Sequence, residues 1–81
     1  MKKMGLNELK PGEFGVIKKI GKISDEKIKR RLLDMGVTCG AEVEVSRYAP
    51  LGDPMEIIIK DYKLAIRKKD AVNIVVEKTA V

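Results

Sequence analysis

A mostly β fold is what this sequence predicts: a small barrel of about five antiparallel strands with one α-helix after the first strand. Three observations lead there. The chain has 81 residues, enough for a single domain with a modest core. Apolar residues recur at a spacing of two over several short segments. Turn residues at Pro11-Gly12, Gly36, Cys39-Gly40 and Pro50-Leu51-Gly52-Asp53-Pro54 cut the chain about every eight to twelve residues.

The elements follow in order. Leu6 to Leu9 is a single turn with two apolar anchors. Pro11-Gly12 leads into a first strand, Phe14–Ile20, with Phe14, Val16 and Ile20 expected on the inner side. Ser24 to Met35 is the helix, with Ser24 as N-cap, Asp25 and Glu26 in the first turn, and Ile28, Leu32 and Met35 on the buried face. Asp25 with Lys29 and Glu26 with Arg30 stand in the favourable order at i,i+4. Gly36 takes the left-handed position that ends the helix.

Beyond Gly40 the period becomes two, with Ala41, Val43 and Val45 against Glu42, Glu44 and Ser46. Met55–Lys60 alternates in the same way. Asp61-Tyr62 is read as a tight hairpin into Lys63–Arg67. Lys68 to Ala71 forms one helical turn, and Val72–Glu77 is the last strand. The expected core is Val16, Ile28, Leu32, Met35, Val43, Val45, Ile57, Ile59, Leu64, Ile66, Ile74 and Val76. Residues 1–81 make one domain, with its folded part at about 6–76 and a frayed tail at 78–81.

Composition narrows the function. Seventeen Lys and Arg against twelve Asp and Glu leave a net charge of +5, which favours acidic partners of any kind. With no His and a single Cys, the usual general base, the Cys–His pair and the usual zinc site are all missing. No Gly-rich phosphate loop occurs. No catalytic, cofactor-binding or metal-ligating residue is therefore expected, and the chain is not expected to be an enzyme. Cys39 is read as a buried or half-buried turn residue. Its lack of a partner, together with the absence of a signal peptide or a long apolar run, predicts a cytoplasmic protein.

The residues also carry a resemblance. Arg31-Leu32-Leu33-Asp34-Met35-Gly36-Val37, then Cys39-Gly40-Ala41-Glu42-Val43, the loop Pro50-Leu51-Gly52-Asp53-Pro54, and Leu64-Ala65-Ile66-Arg67-Lys68-Lys69-Asp70-Ala71 with Ile74 and Val76 come in order. Together they resemble the FeoA family, the small ferrous iron transport protein A, and Leu6, Leu9 and Gly12 fit its opening segment. The chain departs from the family at Cys39-Gly40, where Pro-Gly is common, and at Asp61, where Gly is frequent.

The resemblance implies an SH3-like barrel and, at family level, transition metal ion binding. It implies a cytosolic accessory of ferrous iron uptake, without a cofactor. Such a protein docks on a membrane-bound iron transporter of the FeoB type, which has a GTP-binding domain, and modulates its assembly or activity. It would be recruited to the inner face of the membrane through that partner. The candidate partner-binding residues are Arg30 and Leu33 on the helix, with Leu51, Gly52, Asp53 and Pro54 in the loop. Arg and apolar anchors dominate protein contacts once buried, and two prolines stiffen the loop.

Two rival readings stand beside this one. A small basic barrel can bind nucleic acid, although Phe14, Tyr48 and Tyr62 offer few stacking platforms. The domain is also similar to the C-terminal domain of iron-dependent repressors, but no helix-turn-helix precedes it, so a full repressor is not expected.

Overall fold

Strict alternation places most of the sheet without help from the rest of the chain. The structure, a computed structural model, describes residues 3–35 and 38–79. Six strands, β1 (Lys3–Gly5), β2 (Phe14–Ile20), β3 (Glu42–Tyr48), β4 (Met55–Ile59), β5 (Tyr62–Ile66) and β6 (Ile74–Lys78), form one sheet. The order is β1-β6-β2-β3-β4-β5, every pairing is antiparallel, and β1 and β5 are the edges. Val43 and Val45, Met55, Ile57 and Ile59, Leu64 and Ile66, and Ile74 and Val76 all point into the core. Leu6, Leu9, Ile17, Ile23, Leu32 and Ala71 complete it.

The sixth strand is β1. Three residues with no alternation give no signal in sequence, and β1 forms by pairing Met4 with Val76. At the far end, β6 runs through Lys78, whose Nζ lies 2.5 Å from Glu13 Oε2.

Strand β2 faces the opposite way from expectation. Gly15 and Ile17 are buried, whereas Phe14, Val16 and Ile20 are only half-buried. A Cβ on Gly15 would lie 3.2 Å from both Leu9 Cδ1 and Val76 Cβ, so the missing side chain is what lets Leu9 lie inside. A register shift between Ile17 and Lys19 against β6 then changes the parity. Val16 thus leaves the expected core; Ile28 and Met35 are partly buried beside it.

Two other local readings are corrected. The hairpin turn is Lys60-Asp61, one residue earlier than expected, with both residues at positive φ (48° and 69°). Two positive φ values twist a two-residue loop in the sense the flanking strands need, and Tyr62 pairs with Ile59. Helix α1 spans Glu26–Asp34 and its N-cap is Asp25, whose Oδ1 accepts from the amides of Lys27 (2.9 Å) and Ile28 (3.3 Å). Ser24 is free of that duty and bonds elsewhere. The expected role of Gly36 lies outside the described residues.

Helix α2, Lys68–Ala71, is a single turn between β5 and β6. The start of α1 is tied to α2 and its last turn borders β5. It therefore bridges from α2 to the sheet's free edge.

Candidate functional site

The six candidate contact residues fall into two groups. Arg30 and Leu33 sit on the outer side of α1, with Leu33 66% exposed. Leu33 rims an open recess of about 270 Å³ with Ile20, Gly21, Ile23, Lys29 and Leu32. Leu51, Gly52, Asp53 and Pro54 form the tip of the β3–β4 hairpin, where Leu51 is 97% exposed. Val16 lies opposite Glu42, so Ile20 extends past the beginning of β3, whereas the tip follows its end at Tyr48. The two groups are at opposite ends of the β2–β3 pair and make two patches, not one.

The tip is braced on three sides. Within it, Gly52 donates to the Ala49 carbonyl (2.7 Å) and Ala49 to the Pro54 carbonyl (3.0 Å). Gly52 has φ +90°, a conformation that costs a glycine little. Asp53 Oδ1 accepts from the Lys68 amide at 2.9 Å, joining the tip to α2. A register shift after Val45 turns Tyr48 toward the core. Its one hydroxyl hydrogen is shared between the carbonyls of Asn7 (3.0 Å) and Leu9, and Lys68 Nζ lies 5.1 Å from the ring centroid. Burial, then the charge of Glu13, raises the Tyr48 pKa above its ordinary value. The phenol therefore stays protonated and remains a donor.

Asp70, on α2, is the one buried charged side chain among the described residues, 1% exposed. Its Oδ1 accepts from Ser24 N and Ser24 Oγ, both at 2.8 Å. Burial pushes its pKa up, but the Ser24 bonds, the Asp25 amide and the Lys69 charge together hold it below the ordinary value. Its other oxygen, Oδ2, has no hydrogen-bond partner among the described residues. This group latches α1 to α2. An acidic residue in a single helical turn carries no local signal of burial.

A cleft of about 260 Å³ opens between α1 and the β5 edge, lined by Arg31, Asp34, Met35, Tyr62, Lys63 and Leu64. Its Tyr62 is 60% exposed, and the one-residue shift of the hairpin makes it the first residue of β5. Cys39 is exposed, contrary to expectation. It stands in a turn whose next residue, Gly40, has φ +100° and donates to the Ile17 carbonyl at 2.6 Å. Thr38 and Gly40 are exposed as well, and a Cβ on Gly40 would meet nothing within 4 Å. Among the described residues, no three His, Cys, Asp or Glu side chains gather where a metal ion could be held. No helix of the described residues is long and apolar enough to cross a membrane.

Comparison with known proteins gives this arrangement a family. The model of the FeoA domain matches residues 4–78. A curated relative from Porphyromonas gingivalis (strain ATCC BAA-308 / W83), an Fe(2+) transport protein A/Fe(2+) transporter FeoB fusion protein, is 36% identical over 74 residues. That match takes in 91% of this chain but only 8% of the relative's length. The solution structure of the FeoA protein from Chlorobium tepidum is 36% identical with TM-score 0.83, covering 95% of this chain and 71% of that one. The crystal structure of Stenotrophomonas maltophilia FeoA, described as an SH3-domain protein complexed with zinc, is 28% identical with TM-score 0.73, covering 91% and 89%. A manganese-dependent transcriptional repressor shares the fold alone, at 15% identity and TM-score 0.76, with 98% of this chain matching 38% of that chain.

Proposed function

The chain belongs to the FeoA family, associated with ferrous iron transport, and from that premise we propose that it is an accessory that docks on a membrane-bound, GTP-binding ferrous iron transporter. The observation that carries this reading is the Porphyromonas gingivalis relative, in which protein A and the FeoB transporter share one polypeptide. Tethering raises the effective concentration of two modules to the order of millimolar for short linkers. A fusion of this kind favours partners that act in one place. The Stenotrophomonas maltophilia protein, described as a candidate activating factor of ferrous iron transport, points the same way.

The docking surface is the outer side of α1, with Leu33 as apolar anchor and Arg30 as its charged neighbour. Leu33 is exposed beside a recess that an incoming side chain can fill. Burying a leucine is worth about 1.5–3 kcal/mol, and Arg is among the residues that dominate contacts. Docking of this type changes the transporter's assembly or its nucleotide cycle with no chemistry on the accessory itself. Iron is the transporter's cargo and needs no site here.

Capture on the immobilised chain tests the reading. Detergent-solubilised membranes of the source cell should yield the GTP-binding iron transporter, and the soluble fraction should not. Failure to retain it from solubilised membranes overturns the proposal.

A further inference from the structure

The hairpin tip carries an exposed apolar side chain next to a cation, Lys68, that forms no ion pair among the described residues. Leu51 is 97% exposed, on a backbone fixed by the Gly52 and Ala49 hydrogen bonds and by Asp53 on the Lys68 amide. Lys68 Nζ lies 3.5 Å from where a Cβ on Gly52 would stand, one residue from Leu51. Arg67 and Lys69 flank Lys68 in sequence, and all three are exposed. Elsewhere opposite charges meet, as in Lys18–Glu77, Arg47–Glu56 and Lys78–Glu13. None of Arg67, Lys68 and Lys69 forms an ion pair among the described residues, and with the one carboxylate within the tip, Asp53 on the Lys68 amide, the two segments together keep a net positive charge.

We propose that this tip, Leu51 with Arg67, Lys68 and Lys69, inserts into the headgroup region of an anionic lipid surface. The charge is complementary, because cations beside a bilayer are attracted by its anionic lipids. The apolar part fits as well. A bilayer interface accepts a lone aliphatic side chain without a shaped pocket, whereas a protein partner must provide one. Nucleic acid would call on an aromatic platform, and Tyr48 already spends its hydroxyl on two carbonyls and a ring face on Lys68. A stiff tip loses little freedom on contact. One leucine and three cations give a weak, reversible contact, and it requires no transporter. It also turns the Leu33 end of β2–β3 away from the bilayer.

Vesicle co-sedimentation of the full chain tests the proposal at about 0.05 M salt, where screening is modest. Vesicles of phosphatidylcholine with about one-third phosphatidylglycerol should bind the chain, and pure phosphatidylcholine should not. The double variant Arg67→Gln/Lys69→Gln should weaken binding about thirtyfold, at about 1 kcal/mol per cation. Leu51→Ala should weaken it about tenfold. Because the chain has no Trp, the Leu51→Trp variant supplies a single indole whose emission should shift to the blue on anionic vesicles. No sedimentation with anionic vesicles overturns the proposal. So does unchanged binding by Leu51→Ala, an unshifted Leu51→Trp emission, or duplex DNA bound more tightly than vesicles at the same salt.

Discussion

Asp70 and Leu51 invert the usual rule in opposite directions. Asp70 is a carboxylate 1% exposed, and Leu51 is an aliphatic side chain 97% exposed. The difference lies in their partners. Asp70 has two bonds from Ser24, which tie the start of α1 to α2, so its burial is architectural. Leu51 rests on nothing, although the loop that presents it is hydrogen-bonded to α2 and braced through Tyr48. A misplaced residue with partners holds the fold together; one on a rigid mount without partners is open to contact from outside.

The largest effect expected from this contrast is at Asp70. Replacing it with Ala leaves Ser24 N and Oγ without their acceptor, and denaturant titration should show a loss of about 3 kcal/mol. A loss under about 0.5 kcal/mol would break the comparison.

Acid sharpens the same point. The Asp70 pKa is held below its ordinary value of 3.8, so the folded form binds this proton less readily than the unfolded chain. Its stabilisation is complete above 3.8 and fades as pH falls through the lower folded value. Thermal melts of Asp70→Asn between about pH 5 and 2 should lack that part of the acid slope. A slope as steep as that of the unaltered chain contradicts the assignment.

Asp53→Ala is intermediate. It removes the acceptor of the Lys68 amide, a cap-like bond worth about 1 kcal/mol, and should loosen the tip without unfolding the sheet. Amide exchange at Lys68 and Gly52 reads this directly, and unchanged protection there would show that the tip is held by other means. Leu51→Ala should be the smallest, within about 0.5 kcal/mol of the unaltered chain in the same titration. A larger loss would make Leu51 part of the fold.

How much of this was legible in sequence follows from the kind of signal each element carries. Strands β3, β4 and β5 alternate cleanly and were read to within a residue or two. In β2 the reading favoured large residues, but Gly15 is inside because Leu9 takes its space, a contact between segments that no local pattern records. Ser24 is a good N-cap by type, yet Asp25 takes the cap because Asp70, far along the chain, claims Ser24. Residue preference predicts a buried or half-buried Cys39, whereas it is exposed in a turn where Thr38 and Gly40 are exposed too. The candidate contacts rest on residue type and turn composition. Their separation into two patches depends on strand register, which sequence alone leaves open.

The central claim, that the outer side of α1 is a docking surface, is tested most directly by titrating the detergent-solubilised GTP-binding iron transporter with the chain and with its Leu33→Ala variant. The account predicts saturable binding that Leu33→Ala weakens by about 1–2 kcal/mol, roughly five- to thirtyfold, while the melting midpoint barely moves. Equal affinity for both chains, with the variant's midpoint lowered by several degrees, would make Leu33 a packing residue and contradict the claim.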